Sequence, residues 1–95
     1  MKVVNYEEYT NAKQEFLKAH DYDYRIQTSP MDEYGSYHKE YICEDGAIFY
    51  EVMSPVTENV TVEVHKVTMT VPVKFLRTEF WSSDNAESGY YYEKF

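Results

Sequence analysis

A single cysteine, Cys43, stands in the whole chain, so no disulfide can form within it. That suits a reducing compartment. Only three glycines, Gly35, Gly46 and Gly89, are present. They are too few and too far apart for a Gly-rich phosphate loop. Neither Gly-x-Ser-x-Gly nor His-Glu-x-x-His occurs. Arg25 and Arg77 are the only guanidinium groups, so bidentate grip on phosphate is scarce. This argues against a phosphate-substrate enzyme and against direct nucleic-acid binding. No apolar run approaches the ~20 residues of a membrane-spanning helix. Met1-Lys2-Val3-Val4-Asn5 turns polar at once, without the apolar stretch of a signal peptide. A soluble, cytoplasmic protein is the expectation.

What is abundant is acid and tyrosine. Seventeen Asp and Glu face nine Lys and Arg, for a formal charge of −8, and there are eleven tyrosines. A strong negative field repels nucleic acid and anionic membranes and attracts basic partners. Tyrosine supplies contact area at low entropic cost. The chain's 95 residues fit one domain, 1–95, large enough for one core without staples.

The chain opens with a helix at about 6–20. Asn5 is placed to cap it, with Glu8 three residues on to complete a capping box. Tyr9, Ala12, Phe16 and His20 recur at helical spacing, with Leu17 beside them. The rest, about 22–95, reads as β. Tyr22, Tyr24 and Ile26 alternate with polar residues as far as Ser29-Pro30. Asp45-Gly46 between two extended runs predicts a two-residue type I′ hairpin. Its register would pair Glu40 with Glu51 and Tyr41 with Tyr50, and would place Ile42 and Phe49 on the face of Glu40 and Glu51. Further on, Val60, Val62 and Val64 alternate, then the apolar phase slips to Val67, Met69, Val71, Val73 and Phe75. Without Gly, Pro or Asn nearby, the slip predicts a β-bulge at His65-Lys66 inside one long, bent strand. Pro72 lacks a donor and marks an edge or the end of a partner strand. Tyr90-Tyr91-Tyr92 reads as a short last strand with one or two rings facing out. The expected fold class is α+β: one N-terminal helix packed on a curled antiparallel sheet of four to five strands. That order of elements resembles the cystatin-type roll. The cystatin Gln-x-Val-x-Gly segment is absent, so protease inhibition does not carry over.

Three sets of residues invite a functional reading. Cys43 with His20, His38 and His65 matches no zinc spacing, and a buried structural thiol is the expectation. His38, Glu40 and Glu51 on one face would suit a divalent cation or acid–base work, the alternative enzymatic reading. Same-face neighbours along a strand are ~6.6 Å apart, near the phosphate spacing of nucleic acid, and Glu40, Glu51, Glu58 and Glu63 would contribute to such an array if their strands lie side by side. Glu44 and Asp45 at the hairpin turn add charge, and Tyr90 and Tyr92 would anchor a partner. In composition the chain is similar to the small acidic inhibitor proteins that phages and mobile elements carry, the anti-CRISPR proteins and other DNA mimics. The resemblance implies a mode of action and no particular residues: a non-enzymatic inhibitor, without cofactor, that occupies the groove of a basic nucleic-acid-binding protein such as a CRISPR effector. A third reading is an accessory domain that pairs with itself through edge strands, so monomer and homodimer both stand open.

Overall fold

A computed structural model describes residues 2–95. The elements are β1 (Val3–Val4), α1 (Tyr6–Ala19), β2 (Tyr24–Thr28), β3 (Tyr37–Cys43), β4 (Ile48–Val64), β5 (Val67–Ser82) and β6 (Ser88–Lys94). The class is α+β. The strands form one open, mixed sheet of six in the order β1-β6-β5-β4-β3-β2. Six strands replace the four to five expected, and the cystatin-like roll is not borne out. The extra strand is β1, two residues that pair in parallel with Tyr90 and Tyr91 of β6.

Helix α1 starts where its local signals put it. The Asn5 side chain accepts from the Glu8 N–H at 2.8 Å, and the Asn5 N–H donates to the Glu8 carboxylate at 3.2 Å. The helix stops in a Schellman arrangement: the Tyr22 N–H donates to Leu17 O and the Asp21 N–H to Lys18 O. Asp21 holds the left-handed position that glycine usually takes, at φ 60°. Ala12, Phe16 and Leu17 bury one face of α1 against Tyr41, Cys43, Phe49 and Phe80 of the sheet. This contact is the core of the domain.

The β3–β4 hairpin forms, but one residue out of the expected register. Tyr41 pairs with Phe49, Glu40 with Tyr50, and Lys39 with Glu51. The loop has three residues, Glu44 to Gly46. The Gly46 N–H reaches Cys43 O, and the Cys43 N–H reaches Ala47 O. Gly46 alone takes a positive φ, 95°, whereas a type I′ turn needs positive φ at both central residues. The outcome is a type I turn closed by a glycine bulge. A one-residue slip turns every side chain of one strand over. Glu51 therefore joins Tyr41, Cys43, Phe49 and Met53 on the helix side, whereas Ile42, Ile48, Tyr50 and Val52 lie on the other.

His65-Lys66 is a turn and not a bulge. Val64 pairs with Val67, and His65 and Lys66 take φ 51° and 65°. Both values are left-handed, as in a type I′ turn. The phase slip seen in the sequence is the change of parity across this turn. The long strand is thus two, β4 and β5, paired continuously from Phe49–Ser82 to Val64–Val67. Strand β3 accompanies them only to Met53, and β6 only to Phe75. Beyond these points residues 57–74 project as a two-stranded arm. At ~3.3 Å per residue the seventeen residues of β4 run ~56 Å, which is the 56 Å long axis of the molecule. Pro72 lies in the arm past the end of β6.

Candidate binding surfaces

The sheet has two unlike faces. Helix α1 covers one. Among the described residues no helix covers the other, which carries Ile42, Ile48, Tyr50, Val52, Trp81, Tyr90 and Tyr92. Tyr50 and Trp81 stack there at 5.1 Å, and the Arg77 guanidinium sits 5.4 Å from the centre of the Tyr90 ring. Tyr91 points the opposite way and stacks on Tyr9 of α1. Of the adjacent pair Phe80 and Trp81, Phe80 belongs to the core.

The carboxylates expected to form one array do not. Glu51 is 2% exposed, beneath α1. Its carboxylate accepts from the Tyr9 hydroxyl and pairs with Lys13 Nζ at 2.9 Å. Lys13 also donates to the Tyr41 hydroxyl at 3.2 Å and lies over both tyrosine rings. Burial first, then the hydrogen bond and charge of Glu51, hold the Tyr9 phenol far above its ordinary value. Glu51 is therefore a core residue that ties helix to sheet, not a partner contact. His38 and Glu40 are on the opposite face, so the enzymatic trio His38, Glu40 and Glu51 is split by the thickness of the sheet. Glu58 and Glu63 stand on opposite faces of the arm, away from Glu40. No phosphate-like row results. Among the described residues no group of three or more His, Cys, Asp or Glu is placed to hold a metal ion. Cys43 is buried, and desolvation, helped by Asp45 and Asp23, pushes its thiol up.

Acid gathers instead at the end of the sheet remote from the arm. Three connections meet there: residues 20–23 after α1, the 44–46 turn and the 83–87 loop. Backbone bonds lock them, from the Glu44 N–H to Asp23 O and from the Ser83 N–H to Ile48 O. His20, Asp21, Asp23, Glu44 and Asp45 line one shallow depression. His20 Nδ1 lies 2.5 Å from the Asp45 carboxylate. The Ala47 N–H and His20 hold Asp45 below the usual carboxylate range. Asp84 is likewise lowered, by hydrogen bonds from the Ser82 hydroxyl and the Ala86 N–H. Glu87 is raised, by desolvation first and then by Glu15 and Asp84. Like charges crowd here. Tyr22, 54% exposed and at φ 53°, stands between Asp21 and Asp23.

Glu44 and Asp45 thus lie in this acidic pole, and Tyr90 and Tyr92 on the uncovered face. Asp21, Tyr22, Asp23, Asp84 and Glu87 were not singled out from the sequence as partner contacts. Asp21-Tyr22-Asp23 just past a helix end was the available signal. Compared with known proteins, the chain matches no family model, no curated protein and no solved structure. Among the described residues no helix is long and apolar enough to cross a membrane.

Proposed function

We propose that this is a non-enzymatic acidic binding protein that inhibits a basic nucleic-acid-binding protein, with a CRISPR effector the target to test first. The observation that carries the reading is the acidic pole. Exposed Asp21, Asp23, Glu44, Asp45 and Asp84 come together from three chain segments around an exposed tyrosine. Such a field steers a basic surface into contact, and Tyr22 offers it an aromatic anchor. The loops are held by hydrogen bonds, so little ordering cost falls on binding. Blocking the groove requires no reaction and no cofactor. In this reading Glu44, Asp45 and their neighbours stand in for backbone phosphates, and Tyr90 and Tyr92 serve a secondary contact.

The experiment is competition. A fluorescent guide-RNA or DNA ligand is bound to a CRISPR effector nuclease, and the protein is titrated in at several salt concentrations. Displacement at low salt that fades steeply as salt rises supports the reading. Glu44→Lys with Asp23→Lys should abolish displacement and leave the melting temperature nearly unchanged. Displacement by the double variant equal to wild type would remove the acidic pole from the mechanism.

A further inference from the structure

The projecting arm is the least acidic part of the molecule and the most lopsided. In residues 57–74 two carboxylates, Glu58 and Glu63, balance two ammonium groups, Lys66 and Lys74, while the whole chain carries −8. The registers sort its side chains cleanly. Thr57, Asn59, Thr61, Glu63, Thr68, Thr70, Pro72 and Lys74 share the face continuous with the helix side. Val60, Val62, Val64, Val67, Met69, Val71 and Val73 share the other, where Glu58 is the one charge. On the sheet body this face continues through Val56 and Phe75, then through Ser54–Arg77 and Val52–Glu79, which bring in one charge of each sign, to Tyr50 and Trp81. The apolar stripe of the arm is open: Val64 is 47% exposed, Val67 60% and Met69 47%. A two-stranded ribbon is marginal in water by itself and gains from a covering layer on its apolar face.

We infer that a second copy of the chain covers this face, in an antiparallel dimer that stacks the two β4–β5 hairpins face to face. Charge selects the occupant. Two −8 bodies repel wherever acid meets acid, and the arm is where they can approach without that cost. Geometry selects the direction. A two-fold axis near Val56 and Phe75, the midpoint of the paired hairpin, lays each arm over the sheet body of the other copy. Sheets stacked in this way sit ~10 Å apart with strands nearly aligned. Each hairpin tip, His65-Lys66, then reaches the other copy's acidic pole at Glu44, Asp45 and Asp84. Glu58 comes over Arg77 of the other copy. Tip and pole are complementary in charge, and the contact is isologous and closes. Area allows it. An arm of eight residue pairs is ~26 Å by ~10 Å. Each copy gives one arm and receives another, so the flat contact totals ~1,000 Å², the lower bound of a specific interface.

Sedimentation of the full chain over a concentration series tests this. The expected result is a reversible dimer with a dissociation constant in about the micromolar range, as suits an interface of minimal size. Val62→Lys with Met69→Lys buries two charges in the contact and should weaken the dimer more than ~100-fold. Thr61→Lys with Thr70→Lys, on the opposite face of the same pairs, should leave it intact and guards against a folding artefact. Carbodiimide coupling of Lys66 to Glu44, Asp45 or Asp84 in the dimer fixes the direction. Within one chain these groups are a hairpin's length apart, so the cross-link can form only between copies. A monomer at every concentration would overturn the inference, as would a dimer indifferent to Val62→Lys with Met69→Lys. A monomer whose apolar-face variant loses an otherwise captured partner would assign the face to a different protein and overturn it too. The dimer and the proposed inhibition share the acidic pole, so they are separated by Val62→Lys with Met69→Lys, which breaks the dimer and leaves every carboxylate of the pole in place for the competition assay.

Discussion

Replacing Lys13 by methionine keeps a long apolar stem under the sheet and removes the ammonium that pairs with Glu51. The Glu51 side chain is 2% exposed and that of Lys13 18%. Breaking a buried ion pair from one side costs about 3–5 kcal/mol, because the other charge stays in a poor solvent. Two features favour the lower end. Water reaches part of Lys13, and the Tyr9 hydroxyl still donates to the carboxylate. The expected loss is therefore ~3 kcal/mol, against a total of ~5–14 kcal/mol for a domain of this length. At ~4–8 °C per kcal/mol, the melting temperature should fall by ~12–24 °C. Replacing the whole set tests the cause. Lys13→Met, Glu51→Leu, Tyr9→Phe and Tyr41→Phe together leave no polar group of the cluster stranded and should return stability to within ~1 kcal/mol of wild type, or raise it. Urea denaturation monitored by Trp81 fluorescence, with thermal melts alongside, reads both. A loss below ~1 kcal/mol for Lys13→Met alone would mean the pair is solvated, and the buried role given to Glu51 would fail.

Asp21→Gly relieves the left-handed strain at φ 60° at the end of α1 and should stabilise by up to ~1 kcal/mol in urea titration. Gly89→Ala should destabilise measurably, since an added Cβ meets the Lys2 carbonyl and the buried Phe80 ring, each at 3.0 Å. Above pH 10 the unfolded chain ionises its tyrosines, whereas Tyr9 stays protonated when folded. Its contribution is full below pH 10 and is lost as pH rises beyond that value. Alkaline stability curves should therefore fall less steeply for Tyr9→Phe than for wild type, and an equal slope would contradict the placement of that phenol.

Local signals were legible in the sequence and registers were not. Asn5 and Glu8 mark the start of α1 within four residues of chain, and the helix begins at Tyr6. The Asp45-Gly46 hairpin was equally local, but Asp-Gly serves a two-residue turn and a three-residue loop alike. The flanking strands could not arbitrate, because apolar residues lie on both faces: Tyr41 and Phe49 on one, Ile42 and Ile48 on the other. That single slip moved Glu51 from the surface to the core and dissolved the trio with His38 and Glu40. The turn at His65-Lys66 carries none of the Gly, Asn or Asp that mark a type I′ turn, so the change of phase was its main signal. Missing that turn hid the arm. The acidic pole could not be read at all from spacing. It depends on three loops that are distant in sequence and meet only because neighbouring strands β3, β4 and β5 and the end of α1 bring them to one end of the sheet.

Salt-titrated capture tests the central claim most directly. Wild-type protein and the Glu44→Lys, Asp23→Lys variant serve as parallel baits for a purified CRISPR effector and for bacterial lysate, with and without competing nucleic acid. Capture of a basic nucleic-acid-binding protein by wild type alone, lost at high salt and displaced by nucleic acid, is the result expected of an inhibitor acting through its acidic pole. Equal capture by both baits, or capture that survives high salt and excess nucleic acid, would contradict it.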